Sequence, residues 1–247
     1  MLFRPFTLFS SAFICCLFIS GCSEQHPQNQ AQSTEELKRA KDKQQHAQYQ
    51  QQFDQWKLTQ DPQLIAEYEK FFQSKVKQVP TLYELTLNSH PLKAECQQHR
   101  FSLPPKKLWS NLVAPLQLIE QLQQDGYFAH YKIVSVYRSR EANSCVHGAK
   151  ASKHLSNFAV DFQTLDEHRK PYANHDEIDQ KLCQFWHHQG KKHRLGLGLY
   201  SKQRFHIDTQ GYRTWGIGFK SVSSPCLKAK RVDRDIDECE GVNKEGG

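Results

Sequence analysis

Residues 152–161, which read SKHLSNFAVD, place His154 seven residues before Asp161. Val160 and Phe162 flank this aspartate, and the pattern predicts a short extended segment in which the carboxylate is half buried. A buried carboxylate without a partner is unfavourable by several kcal/mol. The sequence therefore predicts a cation, a hydrogen-bond donor or a metal ion beside Asp161.

Helical and strand patterns alternate on both sides of this stretch. Helices are predicted from the Asp61-Pro62 cap onward and over residues 105–124 and 175–189. Strands are predicted over residues 131–138, 157–162, 195–200 and 204–209, the last two joined by a tight turn. This order predicts an α+β fold, with a small antiparallel sheet and helices packed on one side.

The amino-terminal segment has the layout of an export signal. Arg4 precedes an apolar run over residues 6–19, which is too short and too abruptly followed by polar residues to span a membrane. Residues 19–22, ISGC, resemble the lipobox of bacterial lipoproteins. The resemblance implies a signal peptide over residues 1–21 and a lipid anchor on Cys22. Ser23 then implies a periplasmic protein anchored at the outer membrane, whereas ordinary secretory cleavage would leave Cys22 a plain thiol.

Composition divides the rest of the chain into four parts. Residues 22–60 are Gln-rich and contain too few apolar residues for a core, which predicts a polar tether, with a partner-binding helix as the alternative. Order is expected to begin near Asp61. Residues 61–104 are interpreted as a helical amino-terminal extension, 105–227 as the main domain and 228–247 as a polar tail.

The charge of the chain is mildly basic. There are 33 Lys and Arg residues against 26 Asp and Glu residues, a formal net charge of +7. The basic residues do not cluster at the density of a nucleic-acid-binding motif, so nucleic acid is not predicted as a partner. An anionic polymer or a membrane surface would suit this charge equally well.

Cysteine usage agrees with an oxidising compartment. Of eight cysteines, Cys15 and Cys16 lie in the signal segment and Cys22 in the lipobox. The other five form no CxxC pair, so a thiolate zinc site is not expected. In an oxidising compartment they could form up to two disulfides and leave one free thiol. Four cysteines can pair in three ways, and a Cys226–Cys239 bridge would close a local loop. The five cysteines concerned are Cys96, Cys145, Cys183, Cys226 and Cys239.

Several sequence blocks accompany the opening stretch. Two blocks precede it, SVYRSREAN (135–143) and Gly-Ala (148–149). Two blocks follow it, FHIDT (205–209) and TWG (214–216). In this order they resemble the zinc D-Ala-D-Ala carboxypeptidases and the related peptidoglycan endopeptidases. Their fold is shared with the amino-terminal domain of hedgehog proteins. The resemblance covers about residues 105–216, roughly half of the chain, and five blocks in the right order are far more specific than one His/Asp pair.

The resemblance implies one zinc ion held by His154, Asp161 and His206. Catalytic zinc sites take three protein ligands from His and Asp or Glu and keep a fourth position for water. Bound zinc would activate that water, polarise the scissile carbonyl and supply the partner that Asp161 lacks. Two histidines and a carboxylate also suit non-haem iron, but the sequence carries no oxygenase signature.

Two further residues match the family's motifs. Arg138 matches the arginine that is expected to orient the substrate carboxylate or to stabilise the oxyanion, and an ion pair at the strand end is its alternative role. Ser152 matches the motif serine and is expected to cap or orient the loop that carries His154.

The catalytic base is where this sequence departs from the pattern. Some branches of the family place an acid three residues before the last ligand histidine, and here that residue is Gln203. Asp208 shares a strand face with His206 and is the candidate base, with support of the site as its alternative role. His193 is the other candidate. Asn157 stands where the family has Gly, a position that favours positive φ and that Asn tolerates.

The resemblance thus implies a zinc metallopeptidase domain over residues 105–227. It would hydrolyse amide bonds in the peptide stems of peptidoglycan by means of a metal-activated water, either as a D-Ala-type carboxypeptidase or as a cross-link endopeptidase. The FHIDT block favours the endopeptidase. The alternative is a non-catalytic lipoprotein on the same fold that binds the cell wall or a partner protein.

Overall fold

The computed structural model of the protein describes residues 27–228. The predicted signal peptide over residues 1–21, the predicted lipidation site Cys22, and Cys239 lie outside the described residues, as does the tail beyond residue 228. Within residues 27–228, none of the helices combines the length and the apolar character that crossing a membrane requires.

Five strands form one sheet in the order β1-β2-β4-β3-β5. Their bounds are His130–Ser135 (β1), Ala159–Leu165 (β2), Gly196–Tyr200 (β3), Arg204–Asp208 (β4) and Arg213–Trp215 (β5). The β1–β2, β2–β4 and β4–β3 pairs are antiparallel. The β3–β5 pair is parallel, so the prediction of an antiparallel sheet is wrong at this edge. Both edges of β4 are already occupied, and the turn after it reverses the chain, so β5 pairs with β3 and runs in the same direction.

Six α-helices lie wholly within residues 27–228, and the mixed α+β class is confirmed. Their bounds are Pro27–Leu58 (α1), Pro62–Gln73 (α2), Leu82–Thr86 (α3), Val113–Gln124 (α4), Arg140–Cys145 (α5) and His175–Gln189 (α6). The predicted start of α2 is confirmed, because the Asp61 carboxylate accepts a hydrogen bond from the Gln63 backbone N–H at 2.9 Å. The predicted bounds of α6 are confirmed as well.

The segment 105–124, predicted as one helix, has two geometries. Residues Lys106–Leu112 form a 3-10 helix, and α-helical geometry begins only at Val113. Pro115 explains the difference, because it lacks the N–H that would bond to the carbonyl four residues earlier and its ring crowds that turn. Proline is tolerated in the first turn of α4, where backbone N–H groups have no helical partner.

The core lies on one face of the sheet. Leu116 and Ile119 of α4 are 1% and 0% exposed, and Phe162 of β2 and Phe205 of β4 are both 0% exposed. All four belong to one continuous apolar cluster, in which α4 packs on β2 and β4. Burying a side chain of this size stabilises a fold by about 1.5–3 kcal/mol. Because side chains alternate along a strand, the neighbours of these aromatic residues point to the opposite face.

Packing against this core begins earlier than the predicted start near Asp61. Phe53, in the second half of α1, is 8% exposed, and its ring lies 5.2 Å from the rings of Tyr83 and Phe101. Tyr49 and Trp56 pack beside it. The segment predicted as a tether therefore contributes aromatic side chains to the core from Tyr49 onward.

Two disulfides join the described residues. Cys96 pairs with Cys145, and Cys183 pairs with Cys226. The suggested Cys226–Cys239 bridge is wrong, because Cys226 is already bonded to a cysteine of α6 whose Cα lies 4.8 Å away. The first disulfide links the 3-10 helix Ala94–His99 to α5.

Candidate metal centre

Asp161 and His206 lie directly opposite each other on neighbouring strands. The register of β2 and β4 pairs these two residues, and both strands turn their Phe residues to the core on the other face. His154 comes from the 3-10 helix Lys153–Ser156, which leads into β2. The three residues predicted as metal ligands are therefore brought together by two strands and the turn before one of them.

Asn157 makes the turn between His154 and β2. Its backbone is left-handed, with φ 58° and ψ 31°, the conformation expected where the family has Gly. The side chain is fully buried, and its amide N–H donates to the Leu108 carbonyl at 3.0 Å. This bond fixes the turn that aims His154 at the strands.

The donor atoms of the three residues converge. His154 Nε2 lies 3.2 Å from His206 Nδ1 and 3.2 Å from Asp161 Oδ1, and His206 Nδ1 lies 2.8 Å from Asp161 Oδ1. Ligands about 2.1 Å from a tetrahedral zinc ion are separated by about 3.4 Å, so the three atoms approximate one face of a zinc coordination tetrahedron. Within the described part of the chain, no other group of three His, Cys, Asp or Glu residues meets this condition.

The outer nitrogen of each histidine has a hydrogen-bond acceptor. His154 Nδ1 bonds to the Val136 backbone carbonyl, and His206 Nε2 bonds to Asp208 Oδ2 at 3.0 Å. A neutral ring that donates from the outer nitrogen presents a lone pair at the inner one. When both rings are neutral, two lone pairs and a carboxylate oxygen face one another at 2.8–3.2 Å, an arrangement that is repulsive unless a cation or a proton lies between them.

Burial and charge set the ionisation of the three residues. Burial, aided by the nearby Arg138 charge, lowers the pKa of His154 to about 4 and so favours the neutral ring. Burial opposes ionisation of Asp161, but its histidine contacts outweigh this and hold its pKa well below the usual value. Burial likewise opposes protonation of His206, but the two carboxylates beside it raise its pKa.

Asp208 does not occupy the position expected of a catalytic base. It is 0% exposed and lies behind His206, with its carboxylate bound by the Arg213 guanidinium at 2.6 and 3.1 Å and by the Gln210 backbone N–H at 2.9 Å. Every one of these contacts favours the carboxylate over its conjugate acid, and together they outweigh burial and lower its pKa. The geometry fits the alternative role, in which Asp208 orients the ring of His206.

The glycines of β3 make room for this arrangement. A Cβ on Gly196 would lie 2.5 Å from Asp208 Oδ2, and one on Gly198 would lie 2.7 Å from the indole of Trp215. The LGLGLY segment is therefore a strand whose alternate glycines admit the Asp208–Arg213 pair and the Trp215 ring. Trp215 in turn lies 5.1 Å from the His206 ring, measured between centroids.

His193, the other candidate base, is also outside the site. Its ring packs on Phe185 at a centroid distance of 5.6 Å, and it does not line the cleft described below. The burial of this ring lowers its pKa, but its position keeps it away from the three donors.

Arg138 and Ser152 lie together beside the donors. Arg138 is 7% exposed, and its guanidinium donates to the Ser152 hydroxyl at 3.1 Å. Its Nε is buried without a hydrogen-bond partner. No carboxylate of the described chain lies within ion-pair distance of it, so the predicted alternative of a structural ion pair is not what the geometry contains. Burial lowers the pKa of Arg138 from a value far above neutrality.

The donors open into a cleft of about 720 Å³, and its lining includes His90, Tyr200 and Trp215, to which the sequence assigned no role. His90 donates or accepts at 3.4 Å from Asp161 Oδ2, the oxygen that does not face the histidines. Tyr200 accepts a hydrogen bond from Trp215 Nε1 at 2.8 Å through its hydroxyl. No local motif marks His90, which is 71 residues from Asp161, whereas Trp215 lies in the TWG block.

Comparison with known families gives one match. A family model described as peptidase M15 matches residues 83–205. The match begins before residue 105, where the motif blocks were expected to begin, so it includes His90 as well as Arg138, His154 and Asp161, and it ends one residue before His206. No curated protein sequence matches the chain.

Proposed function

The chain belongs to the peptidase M15 family of metallopeptidases, and on this premise we propose that it is a zinc-dependent peptidase that hydrolyses amide bonds in the peptide stems of peptidoglycan. The observation that carries the proposal is the convergence of His154 Nε2, Asp161 Oδ1 and His206 Nδ1 within 2.8–3.2 Å of one another. Two imidazoles and one carboxylate are the donor set of many catalytic zinc sites, which keep a further position open.

The residues present fit a zinc ion. His154 and His206 are held by acceptors on their outer nitrogens, so their inner nitrogens are available as ligands without rearrangement. His90 contacts Asp161 Oδ2 and leaves Oδ1 turned to the histidines. When bound here, zinc supplies a Lewis acid that activates water and polarises the carbonyl to be attacked.

Two other side chains are placed to act on the substrate directly. The Arg138 guanidinium has unpaired N–H groups in a nearly dry position, where a hydrogen bond to a carboxylate or an oxyanion is strong. The Tyr200 hydroxyl accepts from Trp215, so its own proton is free to be donated into the cleft. Burial raises the pKa of Tyr200, which keeps that proton in place at neutral pH.

The same reasoning extends to fold type and location. The β2–β4 platform, with helices on one face and the donors on the other, supports a fold of the hedgehog and D-Ala-D-Ala peptidase type. The Cys96–Cys145 and Cys183–Cys226 disulfides support an oxidising compartment such as the periplasm. A lipid on Cys22 would hold the domain at the outer membrane, within reach of the cell wall.

The test is metal content and cleavage measured on one preparation. The soluble chain beginning after Cys22 would be analysed for zinc and iron and incubated with purified sacculi and synthetic stem peptides. We expect one zinc per chain and released muropeptides whose masses identify the bond and decide between carboxypeptidase and endopeptidase.

His206→Ala is the informative variant, and His193→Ala is its matched control, since His193 lies outside the cleft. His206→Ala should lose both zinc and product, and the control should keep both. Zinc binding without any cleavage would favour the non-catalytic binding protein instead. Stoichiometric iron in place of zinc would refute the zinc assignment.

A further inference from the structure

The cleft beside the donors is strongly cationic. Among the described residues that line it, Asp161 is the one carboxylate, against four basic side chains. These are Arg138, Lys153, Arg204 and Arg213. A concave surface with one sign of charge attracts ligands of the opposite sign. The substrate of this cleft is therefore expected to be an anion.

The four cations are not equivalent. Arg213 is committed to Asp208 through two hydrogen bonds. Arg204, by contrast, makes one side-chain hydrogen bond, from its guanidinium to the Ser89 hydroxyl at 3.2 Å. Within residues 27–228 no carboxylate lies at ion-pair distance from Arg204, and the same holds for Arg138. Two arginines thus line the cleft without a carboxylate partner among the described residues.

Strand register and chain direction place the backbones of these two arginines on opposite sides of the row of donors. Ser135 of β1, Asp161 of β2 and His206 of β4 form one row across the sheet. Because β1 and β4 are both antiparallel to β2, they run in the same direction. Arg204 lies two residues before this row on β4, roughly 7 Å along the strand, and Arg138 lies three residues beyond it after β1.

We propose that Arg204 binds a substrate carboxylate on the side of the metal centre opposite to Arg138, so that the cleft selects peptides with an anionic group on each side of the reacting bond. This deepens the proposed function and rests on it for the identity of the reaction. Arg204 and His206 share a strand face, and both line the cleft, so a peptide laid across the donors passes the Arg204 guanidinium. A planar guanidinium can bind a carboxylate through two parallel hydrogen bonds.

The chemistry of the ligand follows from this spacing. If Arg138 holds the carboxyl-terminal side of the reacting bond, Arg204 meets a residue on the amino-terminal side, about two residues away in an extended peptide. A diaminopimelate residue there carries a side-chain carboxylate, and a lysine in the same place does not. Arg204 therefore discriminates between peptide stems that contain diaminopimelate and those that contain lysine.

The experiment compares two synthetic pentapeptides, L-Ala-γ-D-Glu-X-D-Ala-D-Ala, in which X is meso-diaminopimelate or L-lysine. Dissociation constants by calorimetry and kcat/KM by product analysis are measured on the zinc-loaded soluble chain, for wild type, Arg204→Gln and Arg204→Lys. We expect wild type to prefer the diaminopimelate peptide by about tenfold, the effect of one charge-assisted hydrogen bond. Arg204→Gln should bring the ratio to about one, and Arg204→Lys should restore part of it.

Lys192→Gln is the matched control, because it removes one positive charge from an exposed position outside the cleft and should keep the wild-type ratio. A preference that survives in Arg204→Gln, or a wild type that binds both peptides equally, overturns the assignment. Binding that depends on Arg204 without cleavage of either peptide would uphold the carboxylate site and refute the peptidase. The two proposals therefore fail separately.

Discussion

Asp161 and Asp208 are two buried carboxylates beside the same histidine, and their surroundings differ in one respect. Asp208, behind His206, is neutralised by the Arg213 guanidinium at 2.6 and 3.1 Å. Among residues 27–228, the partners within ion-pair distance of Asp161, in front of it, are histidine rings alone, at 2.8 Å (His206), 3.2 Å (His154) and 3.4 Å (His90). In the described part of the chain, Asp208 thus has an arginine as a direct ion-pair partner, and Asp161 does not.

The difference locates the metal centre more firmly than the donor count does. A buried carboxylate needs compensation, and a histidine ring supplies a positive charge only when it is protonated, so a bound metal ion is the partner that suits Asp161 while its histidines are neutral. Asp208 then has the task of orienting His206, and Asp161 that of binding the ion. Substitutions that remove the charge on either side of His206 test whether the two carboxylates have these different roles.

Asp161→Asn should have the largest effect. It keeps the shape of the side chain but removes the one negative charge among the three donors, so zinc should be lost. Peptidase activity should fall by more than the ~100-fold that loss of an outer contact typically causes. Metal analysis and muropeptide release measure the two effects. An Asp161→Asn protein that retains stoichiometric zinc would refute the division of roles.

Asp208→Asn should have a smaller effect of a different kind. The site should still bind one zinc per chain, with affinity reduced about 10–100-fold because His206 is less firmly oriented. Competition with a chromophoric chelator measures this. Asp125→Asn, which changes an exposed carboxylate at the end of α4, is the control. Zinc loss as complete as in Asp161→Asn would make Asp208 a ligand, and unchanged affinity would mean that it has no supporting role.

His90 contacts Asp161 from the cleft side. Its contact with Asp161 Oδ2 leaves Oδ1 facing the histidines, so His90→Ala should lower kcat/KM by about tenfold. His90→Gln keeps an N–H donor and should retain most of the activity. Parallel kinetics on the two variants measure the difference. Equal damage in both would show that the imidazole itself, rather than its hydrogen bond, is required.

Asp179 of α6 is a third carboxylate, and within residues 27–228 it has no ion pair with a lysine or arginine. Partial burial and the neighbouring Asp176 raise its pKa from 3.8 to about 6. The folded state therefore binds this proton more tightly than the unfolded state, and its contribution to stability is lost as the pH rises from about 4 through 6. Asp179→Asn should raise the free energy of unfolding above pH 6 by less than about 1 kcal/mol, because solvent screens the site.

Urea titrations of wild type and Asp179→Asn at pH 4 and pH 7 test this expectation. The two proteins should differ at pH 7 and coincide at pH 4. A stabilisation of the same size at both values would mean that the effect comes from packing and not from the charge.

Some of this arrangement was predictable from the sequence, since strand alternation and spacing are local properties. Asp161 and His206 each follow apolar strand residues, and the FHIDT block identified the second strand. The contribution of α1 to the core also had a local signal. Tyr49, Phe53 and Trp56 recur at the spacing of one helical face, within a segment whose average composition is polar.

Other features depend on contacts between distant segments. The parallel strand β5 has three residues, too few for a strand pattern. The Cys96–Cys145 pair spans 49 residues, and His90 reaches Asp161 across 71, so neither has a local signature. The two roles predicted for Asp208 depend on such a contact as well. Strand alternation correctly predicts that Asp208 lies on the same sheet face as His206. The ion pair with Arg213, which neutralises its carboxylate, is visible only in the structure.

Of the two carboxylates beside His206, Asp161 is assigned to the metal ion and Asp208 is not. Calorimetric titration of zinc into the metal-free soluble chain, for wild type, Asp161→Asn and Asp208→Asn, separates the two roles. We expect one tight site in wild type, one weakened site in Asp208→Asn and no site in Asp161→Asn. A wild type that binds no zinc, or an Asp161→Asn protein that binds it as wild type does, would refute this assignment.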